Sequence, residues 1–433
     1  MISKWTFFPG LIFLALWLPA AATRPAAQNA VNQEESKVKP YTLPDLLTGG
    51  NGKKALTVQD WEKWRRPEIL RMLESEMYGR TPKKRIEIRR QVIEEDTKAL
   101  GGKATRKQLA LFLGEKLNGP RLDVLIYLPN QAARPVPAFL GLNFNGNQAV
   151  HSDPAILISR SWQRENRDNG IIDHRATESS RGVDASRWMV EKVLARGYAV
   201  VTACYNDMDP DFDDGFQNGI QPLFYRPGQK TPAADEWGAI GAWAWGLSRI
   251  LDVLEKEKAI DARRVAVHGH SRLGKAALWA GAQDRRFALV ISNDSGCGGA
   301  ALSKRNFGET VGRINTSFPH WFCTSFRKYN DREEALPFDQ HMLLALIAPR
   351  PLYVASAEED LWADPLGEFL GAKNAEPAYA LFSKAGLGTD RMPPVHQPVG
   401  DFIGYHIRAG KHNITEYDWE QYLKFADRHF QSK

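Results

Sequence analysis

The sequence predicts an α/β fold in which helices cover both faces of one mostly parallel central sheet. From residue 185 to the end of the chain, short apolar stretches alternate with helical patterns, which is typical of parallel strands joined by helices. Long segments rich in Asp, Arg, Pro and Gly interrupt the pattern earlier. Segments of this kind usually form a binding face in a compact domain. Function is therefore expected at the carboxyl ends of the strands.

The elements follow from the spacing of apolar residues, which repeats every second residue in a half-buried strand and every three to four residues in a helix. The predicted strands are residues 86–95, 108–113, 122–128, 138–144, 198–205, 264–268, 288–292, 352–357 and 402–407. The predicted helices are residues 185–196, 237–254, 275–282, 340–347, 368–382 and 416–430.

Composition sets the broad class of the protein. The chain has 433 residues, of which 43% are hydrophobic and 25% charged, and these proportions exclude collagen-like, disulfide-framework and wholly disordered proteins. The net charge of +6 is spread along the chain without an arginine-rich tract. We therefore expect no nucleic-acid partner. The oligomeric state is left open.

The first residues resemble a targeting segment. Lys4 precedes an apolar run over residues 5–18 and a small-residue stretch that ends at residue 22, which is typical of a secretory signal peptide. A membrane anchor is the alternative, but the run is short for a span. We expect a signal peptide over residues 1–22, a flexible tail over 23–39 and a single domain over 40–433. The mature protein is expected to be secreted or periplasmic, without a membrane association.

Within the domain, loop insertions are expected near residues 149–185, 206–234 and 297–337. The three cysteines permit at most one internal disulfide. Cys204 follows an apolar run and is expected in the core, whereas Cys297 and Cys323 could form a bridge. No cysteines and histidines have the spacing of a structural zinc site, so neither a metal nor a cofactor is expected.

The strongest motif joins a predicted strand to a predicted helix. The strand ends at Gly269, Ser271 stands on the turn, and small residues open the helix. This arrangement indicates a nucleophile elbow, in which a tight turn lifts a serine hydroxyl above the sheet. The alternative is an ordinary turn with a serine at the N-cap of the helix. The context on both sides favours the elbow.

A serine nucleophile needs a histidine base, and the base needs a carboxylate to orient it. His412 follows the last strand, where the base of such folds is expected. Several other histidines fit less well, because they lie inside a strand, on the final helix or too early in the chain: His406, His429, His320 and His341. Asp294 and Asp360 each follow a strand and are both candidates for the acid. A turn aspartate that bonds local backbone is the alternative for each.

The segment 269–275 resembles the G-C-S-R-x-G-K motif of the glucuronoyl esterases, carbohydrate esterase family 15, and in particular its bacterial branch. His270 stands where the motif has cysteine. Supporting blocks lie at residues 292–296, 306–310, 360–362 and 404–408, so the resemblance extends from about residue 41 to the C-terminus. It implies a three-layer α/β-hydrolase sandwich as the catalytic domain.

The resemblance also implies the chemistry. The substrate would be a glucuronoyl ester of glucuronoxylan or of a lignin–carbohydrate linkage, hydrolysed by Ser271 and His412. Asp360 is the preferred acid, with Asp294 as a second candidate. Arg272 would assist the oxyanion, and three residues would bind the sugar: Lys275, Glu309 and Trp362. Without the resemblance, these three would be a solvated lysine, a surface glutamate and a core tryptophan.

Two rival functions remain at this point. Another carbohydrate esterase on the same fold, such as an acetyl xylan esterase, is disfavoured by the arginine that follows Ser271. A catalytically inactive carbohydrate-binding relative is disfavoured because a serine, a base and candidate acids are all present.

Overall fold

A ten-stranded sheet in the order β1-β2-β3-β7-β4-β8-β9-β10-β12-β11 forms the centre of the fold. The computed structural model describes Met1 and residues 31–114 and 119–430. The strands are β1 Ile88–Ala99, β2 Ala104–Leu113, β3 Arg121–Pro129, β4 Val136–Asn143, β5 Ile171–Ile172, β6 Arg175–Ala176, β7 Ala199–Cys204, β8 Ile260–His270, β9 Leu289–Asn293, β10 Leu352–Ala357, β11 Val399–Gly400 and β12 Ile403–Arg408. The short strands β5 and β6 form a separate antiparallel pair.

The predicted parallel sheet is confirmed in its central part. Six consecutive strands, from β7 through β4, β8, β9 and β10 to β12, are parallel. The strands β1, β2 and β3 add an antiparallel extension at one side, and β11 pairs antiparallel with β12 at the other. Since the parallel strands all end at one edge, the loops that follow them are brought together there.

Helices lie on both faces of the sheet, as expected. They are α1 Val58–Asp60, α2 Arg66–Leu73, α3 Ala185–Trp188, α4 Val190–Ala195, α5 Ala239–Leu254, α6 Arg272–Gln283, α7 Val311–Ser317, α8 Gln340–Ala345, α9 Pro365–Leu381 and α10 Glu416–Phe430. Strand side chains alternate between two apolar clusters, one shared with α5, α6, α8 and α9 and the other with α4 and α10. Among the described helices, none is both long and apolar enough to cross a bilayer.

Two helical regions differ from the sequence prediction. The predicted helix 185–196 is divided into α3 and α4 by Met189, whose φ of 44° lies in the left-handed region. The sequence prediction missed residues 58–78, where α1 and α2 are continued by the π-helical turns Trp61–Arg65 and Glu74–Tyr78. Many charged residues obscure the apolar pattern of this segment, although Trp61 and Tyr78 are fully buried.

The predicted loop insertions have little regular structure. Residues 149–185 contain β5 and β6, residues 206–234 contain only short 3₁₀ turns, and residues 297–337 contain α7. The three cysteines are free and buried, so Cys297 and Cys323 do not form the bridge considered above.

The predictions for the N-terminus concern mainly residues that the structure does not describe. The chain divides into residues 1–31 and residues 32–433. The predicted signal peptide falls outside the described residues, apart from Met1, as does the first part of the predicted tail. Residues 32–39 belong to the second unit, in which Glu35 forms an ion pair with Arg305 at 2.7 Å.

Candidate active site

Ser271 occupies a strained turn between β8 and α6. Its φ of 57° and ψ of −129° lie outside the regions that side chains usually allow, as is typical of a functional turn. The strand and the helix approach so closely that a Cβ on Gly269 would overlap the carbonyl oxygen of Leu273. Glycine is therefore required at position 269.

His412 and Asp360 form a hydrogen-bonded pair in the loops that follow β12 and β10. Nδ1 of His412 lies 2.5 Å from Oδ2 of Asp360. The side chain of His412 is 41% exposed, whereas that of Asp360 is buried. A histidine that donates from Nδ1 to a carboxylate has Nε2 free to accept a proton. The pair can therefore act as an oriented general base.

The base lies at the same end of the sheet as the serine. His270, which directly precedes Ser271, contacts the ring of His412 with the two ring centroids 4.4 Å apart. The His270 ring is buried and neutral, because burial holds its pKa well below the usual value and the nearby His412 acts in the same direction. The structure thus brings Ser271, His412 and Asp360 to one edge of the sheet.

Asp294 is close to this group but has different partners. Its Oδ2 accepts weak hydrogen bonds from Arg408 Nη2 at 3.4 Å and from the backbone N–H of Asn413 at 3.3 Å. Its buried Oδ1 has no partner within the part of the chain that the structure describes. Burial raises the pKa of Asp294 well above the usual value, and the negative charge of nearby Asp360 acts in the same direction. The protonated form of Asp294 is therefore favoured more than it is in an ordinary aspartate.

Asp294, Asp360 and His412 also have the donor types of a divalent-cation site, since one atom from each lies within 4.8 Å of the others. The Asp360 oxygen and the His412 nitrogen, however, are hydrogen-bonded to each other. This hydrogen bond is typical of an acid–base pair. That the enzyme needs no metal stays a prediction.

Arg272 opens α6, and its guanidinium is held from two directions. Nη1 donates to Oδ2 of the buried Asp211, and the guanidinium carbon lies 4.7 Å from the ring centroid of Trp321 and 5.5 Å from that of Phe318. The Nε of Arg272 is buried and has no hydrogen-bond partner among the described residues. Arg272 therefore retains one N–H donor that no described residue occupies.

The three predicted sugar-binding residues lie in the same region. Nζ of Lys275 donates to the carbonyl of Ser295 at 2.6 Å and lies 4.0 Å from Oε2 of Glu309. The backbone N–H of Glu309 donates to the carbonyl of Trp362 at 2.9 Å, and the Trp362 side chain is partly exposed. Lys275 and Glu309 are buried. The residues alone predicted a solvated lysine, a surface glutamate and a core tryptophan, so the burial of all three differs from that expectation.

The other histidines considered as the base have structural partners. His406 is fully buried and bonds Asp418 at 2.9 Å, as a packed strand histidine should. His429 is half-buried against the Asp401 carbonyl, and His341 contacts the Pro44 carbonyl. His320 contacts Asp211 at 3.0 Å.

Sequence reasoning did not single out Asp211 or Trp321, the two partners of Arg272. Asp211 lies in the insertion 206–234, which contains four other aspartates. Its composition indicated a binding face but did not distinguish one aspartate from another.

Several known proteins are similar to this chain in sequence. The family described as "Glucuronyl esterase, fungi" matches residues 189–383. Carbohydrate esterase MZ0003, from an unknown prokaryotic organism, is 49% identical over 97% of this chain and 96% of that protein. A 4-O-methyl-glucuronoyl methylesterase of Phanerochaete chrysosporium is 38% identical over 45% of this chain and 41% of that protein.

Two solved structures are similar over nearly the whole chain. A promiscuous CE15 esterase from the marine bacterial metagenome has a TM-score of 0.87 and 50% identity, covering 92% of this chain and 100% of that one. The glucuronoyl esterase from Solibacter usitatus has a TM-score of 0.87 and 53% identity, covering 91% and 100%. The chain belongs to the glucuronoyl esterases of carbohydrate esterase family 15, which are carboxylic ester hydrolases with the α/β-hydrolase fold.

Proposed function

We propose that this enzyme hydrolyses esters of glucuronic or 4-O-methyl-glucuronic acid, including those that join glucuronoxylan to lignin alcohols, through an acyl-enzyme on Ser271. The observation that carries the proposal is the hydrogen bond between His412 and Asp360, formed beside the strained turn that holds the serine. The name of the Phanerochaete relative supports the methyl-glucuronate class of substrate.

The reaction has two halves. Ser271 Oγ attacks the ester carbonyl carbon while His412 Nε2 takes the hydroxyl proton. The tetrahedral intermediate expels the alcohol, which receives that proton from His412, and the uronoyl group stays esterified to Ser271. A water then gives its proton to His412 and attacks the acyl-enzyme. Collapse of the second intermediate returns the proton to Ser271 and releases the uronic acid, which ionises.

Arg272 stabilises the negative charge that develops on the carbonyl oxygen. Its Nε–H, which has no acceptor in the described ranges, is a buried donor that is already in place before the reaction. A preorganised donor of this kind is worth about 3–4 kcal/mol in the transition state. The same positive charge favours the uronate product, which makes product release a candidate for the slow step.

The sugar ring is bound by Lys275, Glu309 and Trp362. The buried ammonium and carboxylate lie 4.0 Å apart, so together they can donate to and accept from neighbouring sugar hydroxyls. The partly exposed ring of Trp362 offers an apolar face to the sugar. These contacts distinguish a uronate ring from a simple acetyl group.

The first test compares a methyl ester of 4-O-methyl-glucuronate with acetylated xylan, using the wild-type enzyme and Ser271→Ala. We expect the wild type to prefer the glucuronate ester in kcat/KM, and Ser271→Ala to lose at least about 1,000-fold in kcat, as removal of a nucleophile does. A preference for acetylated xylan would contradict the substrate assignment. Unchanged activity of Ser271→Ala would contradict the mechanism.

We also propose that residues 1–22 direct export. Deletion of these residues should leave the protein in the cytoplasm of the expressing cell, and fractionation followed by an esterase assay checks it. Export of the shortened chain would contradict the proposal.

A further inference from the structure

Asp211 is a buried carboxylate surrounded by donors from several parts of the chain. Its Oδ1 accepts from Trp321 Nε1 at 2.7 Å and contacts His320 Nε2 at 3.0 Å. Its Oδ2 accepts from the Tyr205 hydroxyl at 2.9 Å and from Arg272 Nη1. Burial alone would raise the pKa of Asp211, but the hydrogen bond with His320 and the charge of Arg272 outweigh it and hold the pKa below the usual value. Asp211 is therefore an anion.

This carboxylate fixes one end of the Arg272 side chain. Without it, the largely buried guanidinium would lose the carboxylate that is paired with it, which is unfavourable. The rings of Trp321 and Phe318 stack on each other with centroids 3.8 Å apart and contact the guanidinium. Asp211 also anchors the indole N–H of Trp321. One carboxylate thus holds both the guanidinium and an aromatic ring that contacts it.

We propose that Asp211 is a positioning residue for catalysis, which acts through Arg272 by holding Nη1 so that Nε–H is available to the developing oxyanion. The inference rests on the oxyanion role proposed above for Arg272. Both oxygens of Asp211 serve as acceptors, and an asparagine would place an N–H group against one set of these donors. Asp211→Asn should therefore disturb the guanidinium while it preserves the size of the side chain.

The test is a double-mutant cycle with Asp211→Asn, Arg272→Ala and the combination of both, assayed on a methyl glucuronate ester. Displacement of a catalytic group by about 1 Å costs on the order of 100-fold in rate, so we expect Asp211→Asn to lower kcat by about 10- to 100-fold with KM changed less than about 3-fold. Arg272→Ala should lower kcat by about 100- to 1,000-fold. The double variant should be no more than about 3-fold slower than Arg272→Ala alone.

The matched control is Asp153→Asn. Asp153 is also buried and also accepts from an arginine and a tyrosine, namely Arg106 Nη1 at 2.5 Å and the Tyr127 hydroxyl at 2.6 Å, but it bonds side chains of β2 and β3, away from the catalytic residues. Its replacement should lower the melting temperature and leave kcat within about 2-fold of the wild type. Melting curves of all variants separate loss of folded protein from loss of rate.

The possible outcomes distinguish the positioning role of Asp211 from the oxyanion role of Arg272. If Arg272→Ala keeps the wild-type kcat, the oxyanion role of Arg272 fails. If Arg272→Ala is slow but Asp211→Asn is as fast as the wild type, only the positioning role fails. Multiplicative losses in the double variant would also overturn that role, because they would show that Asp211 acts independently of Arg272.

Discussion

Individual side-chain contacts favour one of the two candidate carboxylates as the acid. Asp360 bonds the imidazole of His412 directly, whereas Asp294 bonds Arg408 and the backbone of Asn413. Burial disfavours the charged form of Asp294, which makes it the poorer source of the negative charge that stabilises an imidazolium. Asp360 is therefore the acid that orients and stabilises the base in the proposed mechanism.

The corresponding prediction compares Asp360→Asn with Asp294→Asn. Asparagine at 360 would favour the wrong tautomer of His412 and should lower kcat by about 1,000- to 10,000-fold. Asparagine at 294 leaves the hydrogen bond between His412 and Asp360 in place, so a loss of less than about 10-fold is expected. Steady-state rates on a methyl glucuronate ester measure both. Equal losses would show that the two acids share the role.

At the scale of elements, the junction of β8 with α6 determines where the serine stands. The close approach of strand and helix at Gly269 leaves no room for a side chain. The positive φ of Ser271 follows from the sharpness of this turn. The strain is therefore a property of the whole strand–turn–helix unit, and it is maintained by packing on both sides.

Gly269→Ala tests this unit. The added methyl group must push the helix from the strand, which should cost about 1–3 kcal/mol in the free energy of unfolding and about 100-fold or more in kcat, because the serine moves. Chemical denaturation and steady-state kinetics measure the two effects. Gly50→Ala is the control, since its new Cβ would meet only Glu68 at 3.6 Å. Wild-type kinetics for Gly269→Ala would refute the close-contact argument.

At the scale of the whole molecule, buried acids connect distant parts of the fold. Glu368 on α9 accepts from the backbone N–H groups of Ser295 and Gly296 at 2.7 and 3.0 Å, and from the Ser356 hydroxyl at 2.6 Å. It thereby connects α9 with β10 and with the loop after β9. Burial raises the pKa of Glu368 to about 8, so it is protonated in the folded protein at neutral pH.

This raised pKa predicts a pH dependence of stability. In the unfolded chain, Glu368 loses its proton above the ordinary glutamate pKa of 4.5, whereas in the folded chain it keeps the proton until about pH 8. The contribution of this group to stability must therefore fall as the pH rises between these values, by about 1.4 kcal/mol per pH unit.

Glu368→Gln removes this titration. Its free energy of unfolding, measured with urea at pH 5, 6, 7 and 8, should increase relative to that of the wild type as the pH rises. Glu334→Gln, at an exposed glutamate, should follow the wild type at every pH. A constant difference between Glu368→Gln and the wild type would mean that Glu368 is not protonated in the folded enzyme.

The sequence predicted the features that depend on neighbouring residues along the chain. The period of the apolar residues located the central strands and helices, and the pattern around Ser271 located the elbow. The spacing alone predicted the strand 264–268 in place of β8 Ile260–His270, and the helix 275–282 in place of α6 Arg272–Gln283. The ends differ because they depend on pairing with other strands and on the turn, which are not local properties.

The sequence by itself determined the fold class, the position of the serine and the short set of candidate partners. The tertiary structure decided which of these side chains lie next to each other. The distance between two side chains depends on the order of the strands in the sheet, and the spacing of residues along the sequence does not determine that order. β10 lies between β9 and β12, so the loop carrying Asp360 is next to the loop carrying His412, and Asp294 is one strand further away. Asp211 meets Arg272 across 61 residues of chain, a contact that only the folded insertion creates.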